Sequence, residues 1–272
     1  MKPIEISWGK MIKPLILVGL LIGIVYFPAL FNQFVNWDDD VHLINNYFIQ
    51  TPDDHYIQRI FSTTINGTYN PLTILTFAVE HYFFGTTPFI YHLNNVLLHM
   101  AVTLLIIPIA LQFGLTLTQG VCASVLFGLH PMHVESVAWV TERKDVLYSL
   151  FYLLGVLIYL HYIDLVQKEV QTATHQSGFC LQKWGLLMGA FVCGILSALA
   201  KPMAMSFPII LGLCDLYCRR LLKPYVILEK LLIGMCLFVI GSITFQSYAH
   251  SSDVSCVDSM LIWMWSFTFY MY

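Results

Sequence analysis

Charged residues are scarce in this chain. Only 11% of its 272 residues are Asp, Glu, Lys or Arg, whereas an ordinary soluble domain has about 25%. Hydrophobic residues make up 58%, and the mean hydropathy is +0.71. A soluble fold of this length could not cover its surface with so few polar side chains. The composition therefore excludes a water-soluble domain and predicts an integral membrane protein.

Regular cysteine patterns are also missing. The chain has seven cysteines, mostly within apolar runs, and no CxxC pair. An odd number without regular spacing argues against a disulfide framework or a zinc site. Cys214 and Cys218 lie four apart on one apolar stretch, so we interpret them as packing residues. The formal net charge of −3 does not indicate a partner, and we expect no nucleic acid to bind.

Seven apolar stretches are candidates for membrane-spanning helices, each of which needs about 20 apolar residues. The first, 11–31, follows two lysines as in a signal peptide, but no small-x-small cleavage site ends it, so we interpret it as a retained anchor. The other six are about 93–112, 119–138, 146–163, 184–200, 203–218 and 228–247. We predict an all-α, polytopic integral membrane protein with about seven transmembrane helices.

The positive charges favour one orientation. With the N-terminus inside, only Arg59, Arg143, Lys144 and Lys201 fall in outer segments, and the remaining Lys and Arg residues are inside. Three separated polar segments then face the same outer compartment. These segments are 36–71, 130–145 and 200–202. We predict that they form one shared site, although plain solvated loops remain the alternative.

The first outer loop, about 32–92, contains a second kind of helix. Residues 70–85 have an amphipathic pattern, are rich in Tyr and Phe, and are too few to span a bilayer. Such a segment is typical of an amphipathic helix lying along the membrane interface.

Three consecutive acids, Asp38, Asp39 and Asp40, come directly after the first apolar stretch. A carboxylate at a membrane surface can act as general base toward a hydroxyl. Adjacent acids can instead hold a divalent cation, or simply cap a helix. The triplet alone does not separate these readings, although acids beside a membrane span mark functional sites more often than ordinary surface charges do.

Histidines and acids also cluster in the segment 130–145. His130, His133 and Glu135 have a spacing that zinc ligands can have, but Pro131 interrupts the helical register and no third strong ligand is fixed by spacing. We therefore predict no metal site there.

Three basic residues are candidates for binding an anion. Arg143 and Lys144 adjoin a helix start, where guanidinium, ammonium and backbone N–H groups suit phosphate. An ordinary ion-pair cluster with Glu142 and Asp145 is the alternative. Lys201 lies between two apolar runs on the same predicted side, and it either contacts phosphate or extends its ammonium to the water.

Four stretches carry a resemblance to a known family. They are 34–40 (FVNWDDD), 70–73 (NPLT), 130–147 (HPMHVESVAWVTERKDVL) and 200–203 (AKPM). In this order and spacing they resemble the membrane region of bacterial tetratricopeptide-repeat membrane proteins. Those proteins are similar to the transmembrane O-mannosyltransferases with tetratricopeptide repeats, of the GT-C glycosyltransferase superfamily. The resemblance covers most of residues 15 to about 252.

The resemblance implies a GT-C fold that moves a sugar, with inversion, from a polyprenyl-phosphate carrier to a hydroxyl of a protein or surface glycan on the outer face. It implies catalytic acids at Asp38 and Asp39. It implies donor-phosphate binding by Arg143, Lys144 and Lys201. Supporting residues would be Asp40, His130, His133, Glu135 and Asp145. No cofactor is implied with certainty, and a divalent cation stays open. The implied location is a bacterial inner membrane, with a cytoplasmic N-terminus and the site facing the periplasm.

The sequence departs from this family pattern at its end. No tetratricopeptide repeats follow the predicted membrane domain, 1–252, and the apolar tail at 253–272 looks truncated or frame-shifted. A non-catalytic membrane scaffold is therefore one alternative. A transporter of lipid-linked sugars is another, but it predicts ionisable residues at mid-span. The closest candidates for such residues are His99 and Asp215.

Overall fold

Helices account for every regular element in the described part of the chain. The computed structural model describes residues 8–50, 55–172, 177–220, 223–251, 258, 261–262 and 264–265. Its α-helices are α1 (Trp8–Tyr26), α2 (Tyr47–Gln50), α3 (Tyr56–Ser62), α4 (Pro71–Phe84), α5 (Pro88–Gln112), α6 (Leu117–Gly128), α7 (Val134–Ala138), α8 (Arg143–Thr172), α9 (Ser177–Ala200), α10 (Phe207–Tyr217) and α11 (Pro224–Ser251). Most of the predicted tail, 253–272, lies outside the described residues.

Five helical segments are long and apolar enough to cross a membrane. They are Gly9–Phe31, Pro88–Gln112, Arg143–Glu169, Leu181–Ala200 and Pro224–Ser247. These segments confirm the predicted class, an all-helical polytopic membrane protein.

The predicted count of seven spans is not confirmed. The third predicted span is a bent pair, Leu117–Gly128 and Pro131–Ala138, with an angle of 52° between the helices. The bend falls at Pro131, which lacks an N–H and disfavours a helical conformation at the preceding residue. The sixth predicted span is the shorter apolar segment Pro202–Tyr217. The described residues therefore hold five spans, or six if the bent pair counts as one.

Close packing of α8, α9 and α10 depends on two glycines. The ring of Phe207, the first residue of α10, is fully buried. A Cβ atom on Gly194 would lie 2.7 Å from that ring, and one on Gly155 would lie 2.8 Å from it. Small residues at these positions let the helices approach closely, as is common where membrane helices pack.

The helix α4 matches the predicted interfacial helix in position. Its residues Ile74 and Phe77 are buried, whereas Val79, Tyr82 and Phe83 are exposed. An exposed apolar and aromatic surface on a short helix is typical of a segment lying at the membrane interface.

The bundle has two polar ends. At the first end, here termed the acid end, Asp39 lies against the turn before α8, and Thr73 Oγ1 of α4 donates a hydrogen bond of 3.1 Å to the carbonyl of Ala200, where α9 ends. The second polar end surrounds Tyr159, which lies about 24 Å further along α8 than Arg143. The two polar ends are therefore separated by most of the roughly 30 Å thickness of a bilayer's hydrocarbon core.

Candidate active site at the acid end

Asp39 links the acid motif to the turn that precedes α8. Its side chain is fully buried. Its Oδ2 accepts a hydrogen bond of 2.9 Å from the backbone N–H of Val35. Its Oδ1 accepts from the indole N–H of Trp139 at 3.1 Å, from the backbone N–H of Thr141 at 3.0 Å, and from the Thr141 hydroxyl. A buried carboxylate with four internal donors is a structural link between the acid motif and this turn, and the catalytic role of Asp39 stays a prediction.

Asp38 has the opposite environment. It is half-buried, and among the described residues no donor binds its carboxylate. Its backbone carbonyl accepts from His42 Nδ1 at 3.1 Å. Burial lowers the pKa of His42, which lies within electrostatic range of both Asp38 and Lys144. Asp38 and Asp40 are therefore the acids of the triplet whose carboxylates can meet an incoming group; Asp40, also half-buried, begins a π-helical turn, Asp40–Ile44, and of the two only Asp38 contacts His42.

Arg143 does not lie where the sequence predicted. Its side chain is 0% exposed and points between α4 and α5. Its Nη1 donates to the carboxylate of Glu80, its Nε to Asn95 Oδ1 at 2.7 Å, and its Nη2 to the carbonyl of Tyr91 at 2.8 Å. Its guanidinium carbon also lies 4.5 Å from the centre of the Phe77 ring. In this structure the guanidinium therefore forms its hydrogen bonds inside the protein, between α4 and α5, and its contact with a donor phosphate stays a prediction.

Two lysines at the acid end form ion pairs that are less buried than the pair of Arg143 and Glu80. Lys144 Nζ lies 2.9 Å from Glu142 Oε1, and the two side chains are 16% and 14% exposed. Lys201 forms an ion pair with Asp145, which also accepts from Ser136 Oγ at 3.1 Å. Burial raises the pKa of the Glu142 carboxyl, although its hydrogen bond with Lys144 acts in the opposite direction. Both ammonium groups lie within electrostatic range of Glu142, so the two ion pairs form one charge-balanced cluster at the acid end.

The side chains of the histidine segment, 130–135, differ in burial. His130 and Glu135 are exposed, and His130 Nδ1 accepts only from the backbone N–H of Met132, at 3.3 Å. His133 is half-buried, and its Nδ1 lies 2.7 Å from the carbonyl of Phe127. Within the described ranges no three His, Cys, Asp or Glu side chains form a group that could hold a metal ion.

The three predicted segments therefore meet at the acid end. Asp39 joins the first segment to the second through Thr141, and Lys201 joins the third to the second through Asp145. The sequence analysis missed Asn95, whose amide donates to the carbonyls of Trp139 and Val140 at 3.1 and 3.4 Å. Asn95 thus holds the turn that binds Asp39. The signal that could have identified Asn95 is its position as a polar residue within an apolar stretch.

A second polar cluster, here termed the charge network, lies at the opposite end. Arg220 binds both carboxylate oxygens of Glu229, at 2.9 and 3.0 Å. Lys230 pairs with Asp215, which also accepts from the Tyr159 hydroxyl at 2.9 Å. The charges of two acids and two bases cancel in this mostly buried cluster. Its contacts connect α8, α10 and α11. The sequence analysis noted Asp215 but not its partners.

Comparison with known proteins gives a consistent set of relatives. Human protein O-mannosyl-transferase TMTC4 is 29% identical over a 244-residue alignment that covers 82% of this chain. Human protein O-mannosyl-transferase TMTC2 is 29% identical over 218 residues, or 76% of the chain, and fruit-fly (Drosophila melanogaster) protein O-mannosyl-transferase Tmtc1 is 29% identical over 174 residues, or 64%. The chain is related to protein O-mannosyl-transferases. No family model matches it, and no solved structure matches it.

The relationship covers only part of those proteins. The matched regions amount to 30% of human TMTC4, 24% of human TMTC2 and 18% of fruit-fly Tmtc1. The similarity and the apolar helices together support a multi-pass membrane protein of glycosyltransferase ancestry. The bacterial source, the truncation, the orientation and the carrier lipid stay predictions from the sequence.

Proposed function

We propose that the chain is a membrane glycosyltransferase that moves a sugar from a polyprenyl-phosphate carrier to a hydroxyl group of a protein. The meeting of the three polar segments at the acid end carries this proposal: Asp39 binds the loop of Asp38 to Thr141, and Lys144 and Lys201 form ion pairs with Glu142 and Asp145 a few residues further on. A general base and cationic groups for the phosphate are the two elements that such a transfer requires. The relatives' names indicate mannose as the sugar and protein as the acceptor.

Asp38 is the proposed general base. Its carboxylate takes the proton of the acceptor hydroxyl as the oxygen forms a bond to the anomeric carbon of the sugar. The bond between that carbon and the phosphate oxygen breaks, and the polyprenyl phosphate leaves with the electron pair. Attack from the face opposite the phosphate inverts the anomeric configuration. Asp39 acts as a positioning residue, because its four hydrogen bonds hold the loop that carries Asp38.

Lys144 and Lys201 are the proposed partners of the leaving phosphate. The phosphate gains negative charge as the bond to the sugar breaks, and ammonium groups fixed near it lower the barrier by stabilising that charge. Both lysines already neutralise a carboxylate, Glu142 or Asp145, so an arriving phosphate competes for them. In this structure Arg143 holds α4, α5 and α8 together.

Transfer activity of the purified full-length chain in lipid nanodiscs tests this proposal. The substrates are radiolabelled polyprenyl-phosphate mannose and a mixture of Ser- and Thr-rich peptides. Asp38→Asn removes the base without changing side-chain size, and we expect turnover to fall at least about 100-fold. The matched control is Asp164→Asn, an acid of α8 that forms an ion pair with Lys168, four residues along the helix. It should leave turnover within about twofold.

Three results would contradict the proposal. Equal turnover by Asp38→Asn and the parent chain would remove the general base. No transfer by the parent chain, with normal folding, would favour the non-catalytic scaffold. Translocation of the labelled lipid from one leaflet to the other, without transfer of its sugar to a peptide, would favour the transporter.

A further inference from the structure

A polar cavity of about 300 Å³ extends from the acid end into the bundle. At its mouth lie Asp145 and Lys201, and His99 and Val102 of α5 line its deeper part. We propose that this cavity holds the single sugar ring of the donor, beside the phosphate that Lys201 binds. This inference rests on the proposed function and assigns a binding site to its donor sugar.

The polar groups of the cavity suit sugar hydroxyls. The wall includes His133, Ser136 and Ser149 in addition to the ion pair at the mouth. Hydroxyl and imidazole groups both donate and accept hydrogen bonds, which is what a ring carrying several hydroxyls requires. A cavity lined by such groups within a membrane bundle is costly unless water or a polar ligand occupies it.

His133 lines this cavity, and its hydrogen bond defines which ring nitrogen can accept. Its Nδ1 lies 2.7 Å from the carbonyl of Phe127. A carbonyl oxygen can only accept, so Nδ1 carries the proton of that hydrogen bond. In the neutral ring, Nε2 then has the free lone pair and accepts a hydrogen bond from a sugar hydroxyl.

The size of the cavity sets the class of ligand. Pockets for small molecules usually measure about 300–1,000 Å³, so this one is at the lower limit. It has room for one sugar ring. Val102, Phe127 and Val146 close its apolar sides. The structure therefore favours a carrier lipid bearing a monosaccharide.

Two variants test the assignment. His133→Asn keeps an amide N–H near the position of Nδ1, which can still bind the Phe127 carbonyl, but it lacks the acceptor at Nε2. Ser149→Leu fills the cavity with a side chain that a membrane helix tolerates. The matched control is Ser242→Leu on α11, whose hydroxyl donates only to the carbonyl of Phe238, 2.8 Å away in its own helix.

The measurement is the affinity of each full-length variant in nanodiscs for polyprenyl-phosphate mannose and for polyprenyl phosphate without sugar. We expect the parent chain and Ser242→Leu to prefer the sugar-bearing lipid. We expect His133→Asn and Ser149→Leu to lose about five- to tenfold in affinity for that lipid, the effect of one or more hydrogen bonds. Their affinity for the sugar-free lipid should be unchanged.

The outcomes separate this inference from the proposed function. If the parent chain binds both lipids equally, or if His133→Asn and Ser149→Leu keep the preference, the cavity does not hold the sugar and the transferase proposal stands. The same conclusion follows if Ser242→Leu loses the preference as strongly as Ser149→Leu. If neither lipid binds the parent chain, the proposed function fails and this inference fails with it.

Discussion

At the residue scale, identical or similar neighbours have different roles. Asp38 and Asp39 are adjacent acids, yet only Asp39 is saturated by internal donors. Arg143 and Lys144 are adjacent cations, yet only Arg143 is fully buried. The sequence could predict that both pairs matter, because charges are rare in this chain. It could not predict which member faces inward, because the partners, such as Thr141 and Glu80, come from distant segments.

The buried Arg143–Glu80 pair gives a prediction about stability. Arg143→Met leaves the Glu80 carboxylate buried without its cation, and we expect the free energy of unfolding to fall by about 3–5 kcal/mol. The double variant Arg143→Met, Glu80→Leu should recover most of that loss, because no unpaired charge remains. Unfolding of the detergent-solubilised chain by guanidinium chloride measures both effects.

The neighbouring residue supplies the control. Lys144→Met removes a more accessible ion pair with Glu142, so we expect a loss below about 1 kcal/mol. If Arg143→Met and Lys144→Met had the same free energy of unfolding, the buried ion pair of Arg143 would not stabilise the fold more than the accessible pair of Lys144.

At the scale of elements, the long apolar runs predicted five helices well. The runs 93–112 and 228–247 correspond to α5 and α11, and both helices begin a few residues earlier, at Pro88 and Pro224. Proline suits the first turn of a helix, so the polar and aromatic residues that follow join the helix. The stretches 119–138 and 203–218 were predicted less well. Pro131 bends the first of these stretches, and the second is too short to count as a full span. A search for apolar runs of about 20 residues does not detect either feature.

The charge network gives the second stability prediction. Arg220→Met removes both hydrogen bonds to the Glu229 carboxylate and leaves Lys230 as the remaining cation for two acids. We expect a loss of about 3–5 kcal/mol in the free energy of unfolding, with faster proteolysis between α10 and α11. The adjacent Arg219 is exposed, so Arg219→Met should cost less than about 1 kcal/mol.

Proteolysis also offers a check on the interpretation. Cleavage at equal rates in Arg220→Met and Arg219→Met would mean that the charge network does not hold α11 to the bundle.

At the scale of the whole molecule, the alternation of spans predicted that three polar segments share one end. The contacts Asp39–Thr141 and Lys201–Asp145 place them together. The sequence predicted this because charged loops between apolar helices must emerge from the membrane, and alternate loops emerge on the same side. It did not predict the cavity beneath them, because a cavity depends on how α5, α7 and α8 pack.

Accessibility labelling tests the shared membrane face most directly. Single cysteines replace Trp37, Met132 or Lys223 in an otherwise cysteine-free chain in sealed membrane vesicles of known orientation. Trp37 and Met132 are 74% and 76% exposed at the acid end, and Lys223 is exposed at the opposite end. A membrane-impermeant maleimide should label Trp37→Cys and Met132→Cys from one side and Lys223→Cys only from the other. Labelling of Trp37→Cys and Met132→Cys from opposite sides would contradict a single site at the acid end.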